Sequence, residues 1–501
     1  MSISTLLTRL HSLNIRIWAN GDQLQYSAPK GALTPELRDQ LVQHKAALLK
    51  FFQEPTIFVG QAAEVEQAQR SSDANLPPPT KSYRYLFVLI EGGGTVPGLL
   101  GLAHRLLERG HAIWAIGDPC NEAEVRAAGC TFIPYRRAPH RLDKSAATVN
   151  FKDSSAKTPA EAIDLAADAF ICRPAQAYAQ DVLEAIERHP VDAVVVSELL
   201  LGGCFAAEKA GIPSTMIWWA LYTLPYASEP IYGSIGWLSD QFARFMIDRL
   251  DLYGLPLLQA ARAALDLPPL TSLLAYLRRL DRILVTSSLA FDPEVRPFPN
   301  VRYIGPTIDT PGWVEEWESP WPADHPDPLV VVAFSGTMLD QQAIVQRVID
   351  ALDGWPVRGL VALGPLLVRS EFRVPANVVL RTSVWRKQVF PMAAVVVTHA
   401  GHMTVMQALS YDLPLICIPM GREQYGNATR VVAHGVGLRL APTADVGAIR
   451  HAIQRVIGEA GFRTQAAKLG RSIRADIRSA AGVIELEQLA ERGDTSRPSA
   501  G

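Results

Sequence analysis

Apolar positions change their period from one stretch of the chain to the next, and each change marks an element. Leu6, Leu7, Leu10 and Leu13 recur at helical spacing. Ile15 and Ile17, then Leu24 and Tyr26, alternate with polar residues on either side of Asn20-Gly21, a pair that tolerates the positive φ of a tight hairpin turn. Thr34-Pro35 opens a second helix as N-cap and first helical residue, with Leu37, Leu41, Leu48 and Phe52 on its buried face. Residues 1–53 are therefore expected to form a small α+β unit in the order helix, hairpin, helix. Periodicity then fails over 54–82, where Gln67 to Asn75 is polar and Pro77-Pro78-Pro79 is a stiff extended spacer, so this stretch is expected to be a linker.

Two longer α/β patterns follow. In the first, over 83–309, an apolar strand from Tyr85 to Ile90 leads through Glu91-Gly92-Gly93-Gly94-Thr95-Val96-Pro97-Gly98 into a helix ending near Glu108 and a strand from Ala112 to Ile116. That is the βαβ opening of a Rossmann-like domain, but its glycines do not give G-x-G-x-x-G, which argues against a dinucleotide. Residues 310–328, with Trp313, Trp317, Trp321 and several prolines, read as an interdomain linker. The second pattern, over 329–491, opens with strand Val330 to Phe334 and the small-residue turn Ser335-Gly336-Thr337. Later Val395 to Thr398 turns through His399-Ala400-Gly401-His402 into a helix from Met403 to Ser410, and a buried strand from Leu415 to Pro419 leads to the polar loop Gly421-Arg422-Glu423-Gln424. Residues 492–501 are expected to be a disordered tail. The fold class is α/β, two Rossmann-like domains behind a small α+β unit.

Composition narrows the class. A chain of 501 residues exceeds one ordinary core, and 48 basic against 50 acidic side chains give no reason to expect nucleic acid or an anionic membrane as main partner. Five scattered cysteines without CxxC spacing, no apolar run of membrane length and no secretory leader pattern lead to the expectation of a cytoplasmic protein.

Chemistry concentrates at 395–428. The turn into the 403–410 helix puts free backbone N–H groups and the positive helix end at the carboxyl edge of the sheet, where an anion is expected. His399 and Thr404 are then placed to meet a diphosphate, while Glu423 and Gln424 reach towards something rich in hydroxyls. This stretch resembles the donor-binding signature of the GT-B glycosyltransferases that decorate macrolides and other natural products. Thr398, His399, Gly401, Thr404, Ala408, Leu409, Pro414, Pro419, Gln424, Asn427 and Ala428 match in register. It departs at Gln407, where the family's ribose-binding Glu usually sits, at Asp412, where Gly is common, and at Glu423, where the sugar-binding residue is usually Asp.

The resemblance implies GT-B architecture, with an acceptor domain over 83–309 and a donor domain over 329–491. It implies a donor site built from Ser335, Gly336, Thr337, Val384, Trp385, His399, Gly401, His402, Thr404, Gln407, Glu423 and Gln424. The donor is a UDP- or dTDP-sugar used as co-substrate, with no other cofactor; the absence of a D-x-D motif leads to the expectation of no metal. The family's catalytic His falls on Thr95, which is no general base near neutral pH. Glu91, at the end of the first strand, and Glu198, which follows strand Ala193 to Val196, are the alternative candidates. An apolar run from Met216 to Tyr222, with Trp237, Phe242 and Phe245, offers either core or a cleft for a large acceptor.

Residues 1–53 resemble the TubC-type docking domains of nonribosomal peptide and polyketide assembly lines, through Leu6-Leu7, Trp18, Gly21-Asp22, Leu24, Ala28-Pro29, Gly31, Leu33 to Leu37, Lys45 and Leu48-Leu49. Such a domain implies capture of a partner synthase. The expected function is an inverting transfer of sugar to a hydroxyl of a nonribosomal peptide, lipopeptide or polyketide. The rival readings are a non-catalytic partner of an assembly line and a sugar-nucleotide epimerase.

Overall fold

The computed structural model describes residues 16–20, 23–27, 33–45, 76–79, 81–92, 94–144, 156–228, 230–307, 318–322, 325–335, 341–382 and 389–496. In the N-terminal unit, β1 (Arg16–Asn20) and β2 (Gln23–Ser27) pair antiparallel with Ile17 opposite Tyr26. Helix α1 (Pro35–Gln43) starts where its cap requires, with the Thr34 hydroxyl accepting from the Leu37 N–H at 3.4 Å. Leu37 and Leu41 are buried. The helix expected around Leu6 to Leu13, and the positions of Leu48 and Phe52, lie outside the described residues.

The first large sheet has seven parallel strands, β3 (Arg84–Val88), β4 (Ala112–Gly117), β5 (Thr131–Pro134), β6 (Ala193–Ser197), β7 (Ser214–Trp218), β8 (Arg282–Val285) and β9 (Val301–Tyr303), in the order β5-β4-β3-β6-β7-β8-β9. Helices α2 (Thr95–Glu108), α3 (Ala175–Arg188), α4 (Leu201–Ala210) and the long α5 (Ile235–Ala263) cover its faces. A sheet covered on both sides has no solvent face, and β6 is accordingly buried at every position. Pro97 does not prevent the glycine-rich loop from entering a helix: it falls in the first turn of α2, where a proline's missing N–H has no intrahelical partner to lose.

The second sheet is also parallel. Its strands β10 (Leu329–Ala333), β11 (Arg358–Ala362), β12 (Val378–Arg381), β13 (Ala393–Thr398), β14 (Leu415–Cys417) and β15 (Gly437–Arg439) lie in the order β12-β11-β10-β13-β14-β15. Helices α6 (Gln342–Leu352), α7 (His402–Ser410), α8 (Gln424–Ala433), α9 (Val446–Gly458) and α10 (Ala460–Arg478) pack around it.

The last helix, α11 (Ala481–Ser496), returns to the first sheet, where Val483, Leu486 and Leu489 join the core beside β3 and α2. Tyr85 donates to the Leu486 carbonyl at 3.2 Å, and Glu487 accepts from Arg109 at 2.6 Å and meets His111 at 2.9 Å. His111 thus has a structural role. The helix continues to Ser496, past position 492 where a disordered tail was expected.

Candidate active site

Each sheet has one topological switch point, where successive strands leave in opposite directions and their loops part to open a crevice at the carboxyl edge. In the first sheet it lies between β3 and β6, whose following loops carry Glu91 and Glu198. In the second it lies between β10 and β13, followed by Ser335 and His399. The sequence motifs therefore occupy the two places where the fold leaves room for a ligand.

On the first domain, Glu198 follows the buried β6 and its carboxylate accepts from the backbone N–H of Trp219 at 2.9 Å. The Trp219 ring is buried against Gly98 of α2, where an added Cβ would stand 2.7 Å from the ring, and its indole donates to Ser197 at 3.2 Å. This packing fixes the peptide that holds Glu198. Burial, reinforced by the negative charge of Glu423, pushes the Glu198 carboxyl up to about 7, while the Trp219 N–H acts the other way.

Glu91 is differently placed. Its carboxylate accepts from Asn121 at 2.6 Å and lies 3.5 Å from the Lys144 ammonium, with its backbone N–H on Asp118 at 2.7 Å. These contacts make it part of a loop-fixing network and remove it from the base candidates. Thr95 starts α2 and directs its hydroxyl to the Ile90 carbonyl at 3.4 Å, closing the glycine loop on itself. Gly94 beside it faces the Met403 side chain of the second domain, which an added Cβ would meet at 3.4 Å.

On the second domain, β13 ends at Thr398, and Ala400 takes a left-handed φ of 67° to start α7. His399 is buried, stacked on Phe334 with ring centroids 6.2 Å apart, and its Nδ1 lies 3.4 Å from the Thr398 hydroxyl. A Cβ at Gly401 would come within 2.4 Å of His399 Nε2, so the observed orientation of the imidazole depends on glycine at that position. No side chain caps α7, whose first-turn N–H groups, including that of Thr404, therefore end in the crevice with the positive end of the helix. Gln407 is half-buried one turn beyond Thr404. Glu423 forms the N-cap position of α8, and Gln424 turns its amide oxygen onto the N–H groups of Met420 at 2.8 Å and Gly421 at 3.2 Å, shaping the loop.

His402 does not join the donor site. It is buried, with Nδ1 3.1 Å from Asn427 Oδ1 of its own domain and Nε2 3.3 Å from the Thr286 carbonyl of the first domain, so the ring bridges α8 and the other domain. Ser335 is held at both backbone groups by Gln341, whose amide accepts from its N–H at 3.1 Å and donates to its carbonyl at 2.5 Å. No sequence motif had pointed to that clamp. Gly336, Thr337, Val384 and Trp385 lie outside the described residues.

Most of the Met216 to Tyr222 run is core; only Ala220 is partly exposed. Phe242 and Phe245 instead stand exposed on α5, and Trp237 is half-buried against Tyr232 at 4.7 Å.

Two parallel Rossmann-like domains with their crevices turned to one another define the GT-B architecture. Comparison with known proteins agrees. Residues 366–489 match the erythromycin biosynthesis protein CIII-like C-terminal domain, and residues 3–54 match the TubC N-terminal docking domain. The 4'-demethylrebeccamycin synthase of Lentzea aerocolonigenes is 25% identical over 77% of this chain and 94% of its own length. The kitacinnamycin glycosyltransferase superposes with a TM-score of 0.63 at 20% identity, covering 83% of this chain and 99% of its own. The glycosyltransferase VinC, solved in complex with dTDP, superposes with a TM-score of 0.59 at 18% identity, covering 82% and 100%. The chain is a glycosyltransferase of the natural-product type, with an erythromycin CIII-like C-terminal domain and an N-terminal TubC docking domain. Among the described residues no helix is long and apolar enough to cross a membrane.

Proposed function

We propose that this enzyme moves a sugar from a UDP- or dTDP-sugar to a hydroxyl of a nonribosomal peptide, lipopeptide or polyketide, with inversion at the anomeric carbon. The observation that carries the reading is the confrontation of the two crevices, one presenting Glu198 and the other the uncapped N-terminus of α7 beside His399. Glu198 takes the proton from the acceptor hydroxyl as its oxygen bonds to the anomeric carbon and the bond from that carbon to the diphosphate breaks. A carboxyl group held near neutrality is a better proton acceptor than an ordinary one and is still largely ionised at slightly alkaline pH. The departing diphosphate gains negative charge, which the first-turn N–H groups of α7, Thr404 and His399 meet without a metal ion. Glu423 accepts from the sugar hydroxyls. The structure of VinC in complex with dTDP supports a nucleoside diphosphate as the leaving group.

On the acceptor side, α5 begins at the domain junction, where Ser239 accepts from Arg430 at 3.1 Å, and its exposed Phe242 and Phe245 offer apolar contact to a large aglycone. The TubC domain supports delivery of that aglycone near a modular synthase, the tether raising effective concentration without a new contact at the active site.

The test is donor consumption by the purified full chain with a panel of uridine- and thymidine-diphosphate sugars, with and without EDTA, for wild type, His399→Ala and Glu198→Ala. Loss of turnover in His399→Ala, unchanged turnover in EDTA and loss of transfer in Glu198→Ala are expected. Wild-type rates in both variants would overturn the assignment of these two residues.

A further inference from the structure

A chain of contacts runs without a gap from Glu198 in the first domain to the first turn of α7 in the second. The backbone N–H of Trp219 donates to the Glu198 carboxylate at 2.9 Å. The carbonyl of that same peptide unit belongs to Trp218, and it accepts from Thr286 both the backbone N–H at 3.0 Å and the hydroxyl at 3.1 Å. Thr286 follows β8 and presents its own carbonyl to His402 Nε2 at 3.3 Å. His402 is the first residue of α7; its Nδ1 meets Asn427 Oδ1 at 3.1 Å, and Asn427 is anchored by donating to the Ala400 carbonyl at 2.9 Å.

Every link is stiff. A peptide unit is planar, so the N–H that faces Glu198 and the carbonyl gripped by Thr286 turn together. Trp218, Thr286 and His402 are buried, which keeps water from replacing these bonds. The His402 ring also lies beside Phe291, from the same segment as Thr286, with centroids 6.3 Å apart. The imidazole is thus held by the first domain on one side and by α8 on the other.

We propose that His402 is a positioning residue for sugar transfer: through Thr286 and the Trp218–Trp219 peptide it holds the diphosphate-binding end of α7 in fixed register with the Glu198 carboxylate. The inference rests on the reading of Glu198 as the base.

Inversion requires the attacking oxygen, the anomeric carbon and the departing diphosphate oxygen to lie in line. Glu198 fixes one end of that line and the start of α7 the other, and they belong to different domains. Catalysis therefore depends on registration between the domains, where a small misplacement is costly even when every ligand remains present. Both ring nitrogens of His402 face protein groups, so removing the ring leaves the groups that bind the nucleotide in place.

The experiment pairs calorimetric binding of UDP and dTDP with turnover of the uridine- and thymidine-diphosphate sugar panel, water serving as acceptor, in purified full chain. The variants are His402→Leu, His402→Gln, Thr286→Val and Glu198→Ala. His402→Leu is expected to bind the nucleotide within about threefold of wild type while turnover at saturating donor falls roughly tenfold to a hundredfold. His402→Gln, whose amide can donate to the Thr286 carbonyl, should recover most of that loss. Thr286→Val removes the hydroxyl bond to the Trp218 carbonyl without changing the shape of the side chain, and should lower turnover in the same sense at unchanged affinity. Wild-type turnover in His402→Leu, or in Thr286→Val should the first variant fail to fold, overturns the proposal and leaves the base reading standing if Glu198→Ala is inactive. Affinity that falls in step with turnover makes His402 a donor ligand and overturns the proposal as well. No turnover by wild type, or wild-type turnover in Glu198→Ala, overturns the base reading and this inference with it.

Discussion

Arg430 of α8 reaches out of the second domain to Asp292 of the first, with Nη2 2.7 Å and Nε 3.0 Å from Oδ1, and both side chains are buried. Tyr303 donates to the other Asp292 oxygen at 3.3 Å, and Ser239 accepts from the guanidinium at 3.1 Å. Next to this pair, His434 contacts the Phe291 carbonyl at 3.0 Å, and Phe291 itself lies in the core of the second sheet. The segment after β8 is thus built into the partner domain, and α8 carries the site loop at one end and the interdomain ion pair along its length.

Removing one member of such a pair leaves a buried charge without its partner. Asp292→Ala is expected to destabilise the protein by roughly 3–5 kcal/mol, while a double replacement by apolar residues, Asp292→Leu with Arg430→Met, should recover most of that loss. Thermal unfolding of the two variants beside wild type checks the contrast. Equal losses in the single and double variants would show that packing rather than charge holds the junction.

These contacts also mark what could be read in advance. The buried parallel strands were legible because such strands are continuous apolar runs, as β10 and β13 are. The relation of His399 to Gly401 was legible because it is local: two residues at a strand end determine it by sterics. Arg430 and Asp292 are 138 residues apart, and His402 and the Thr286 carbonyl 116, so no local period records either pairing. The sequence for that reason placed His402 among the donor ligands when it is a pin between domains. Glu91 misled in the same way, since Asn121 and Lys144 that engage it come from later loops.

Gly401→Ala should separate site geometry from folding. Gly401 has φ −60° and ψ 137°, which alanine adopts without strain, so the backbone tolerates the change. The added methyl would nevertheless stand 2.4 Å from His399 Nε2 and turn the imidazole aside. The expected outcome is a melting temperature within a few degrees of wild type, together with affinity for dTDP or UDP reduced about tenfold or more, a loss of roughly 1.4 kcal/mol. Calorimetric titration with each nucleoside diphosphate measures it.

His402 and His434 make the junction sensitive to acid. Burial is the largest effect on each ring and lowers both below the ordinary 6.5. The unfolded chain then binds protons more readily than the folded one, so stability is full above about 6.5 and falls as the pH drops towards the lowered folded values. A neutral His402 has one ring N–H for two acceptors, the Asn427 oxygen and the Thr286 carbonyl, and Asn427 is held in that orientation by donating to the Ala400 carbonyl at 2.9 Å. Melting temperatures between pH 5 and 8 should therefore decline on the acid side, and His402→Leu should flatten part of the decline. A slope unchanged in that variant would assign the acid sensitivity elsewhere.

Glu198 has the opposite sign. Its carboxyl is raised in the folded protein from 4.5 to about 7, so the fold favours the protonated form; the associated stability is present below about 4.5 and is lost as the pH rises through about 7. At alkaline pH the protein carries a carboxylate in the cleft at a cost of up to about 3 kcal/mol, since each tenfold change in a protonation equilibrium corresponds to roughly 1.4 kcal/mol. Glu198→Gln keeps the shape and the acceptor for the Trp219 N–H while removing the charge. The variant should melt higher than wild type at pH above 8, match it near pH 5, and transfer no sugar at either. A gain in stability that vanishes with acid, coupled to the loss of transfer, is the pattern of a group whose ionisation is kept for chemistry at the expense of the fold. A variant that loses transfer and stability alike at every pH would instead make Glu198 a structural acceptor for the Trp219 peptide.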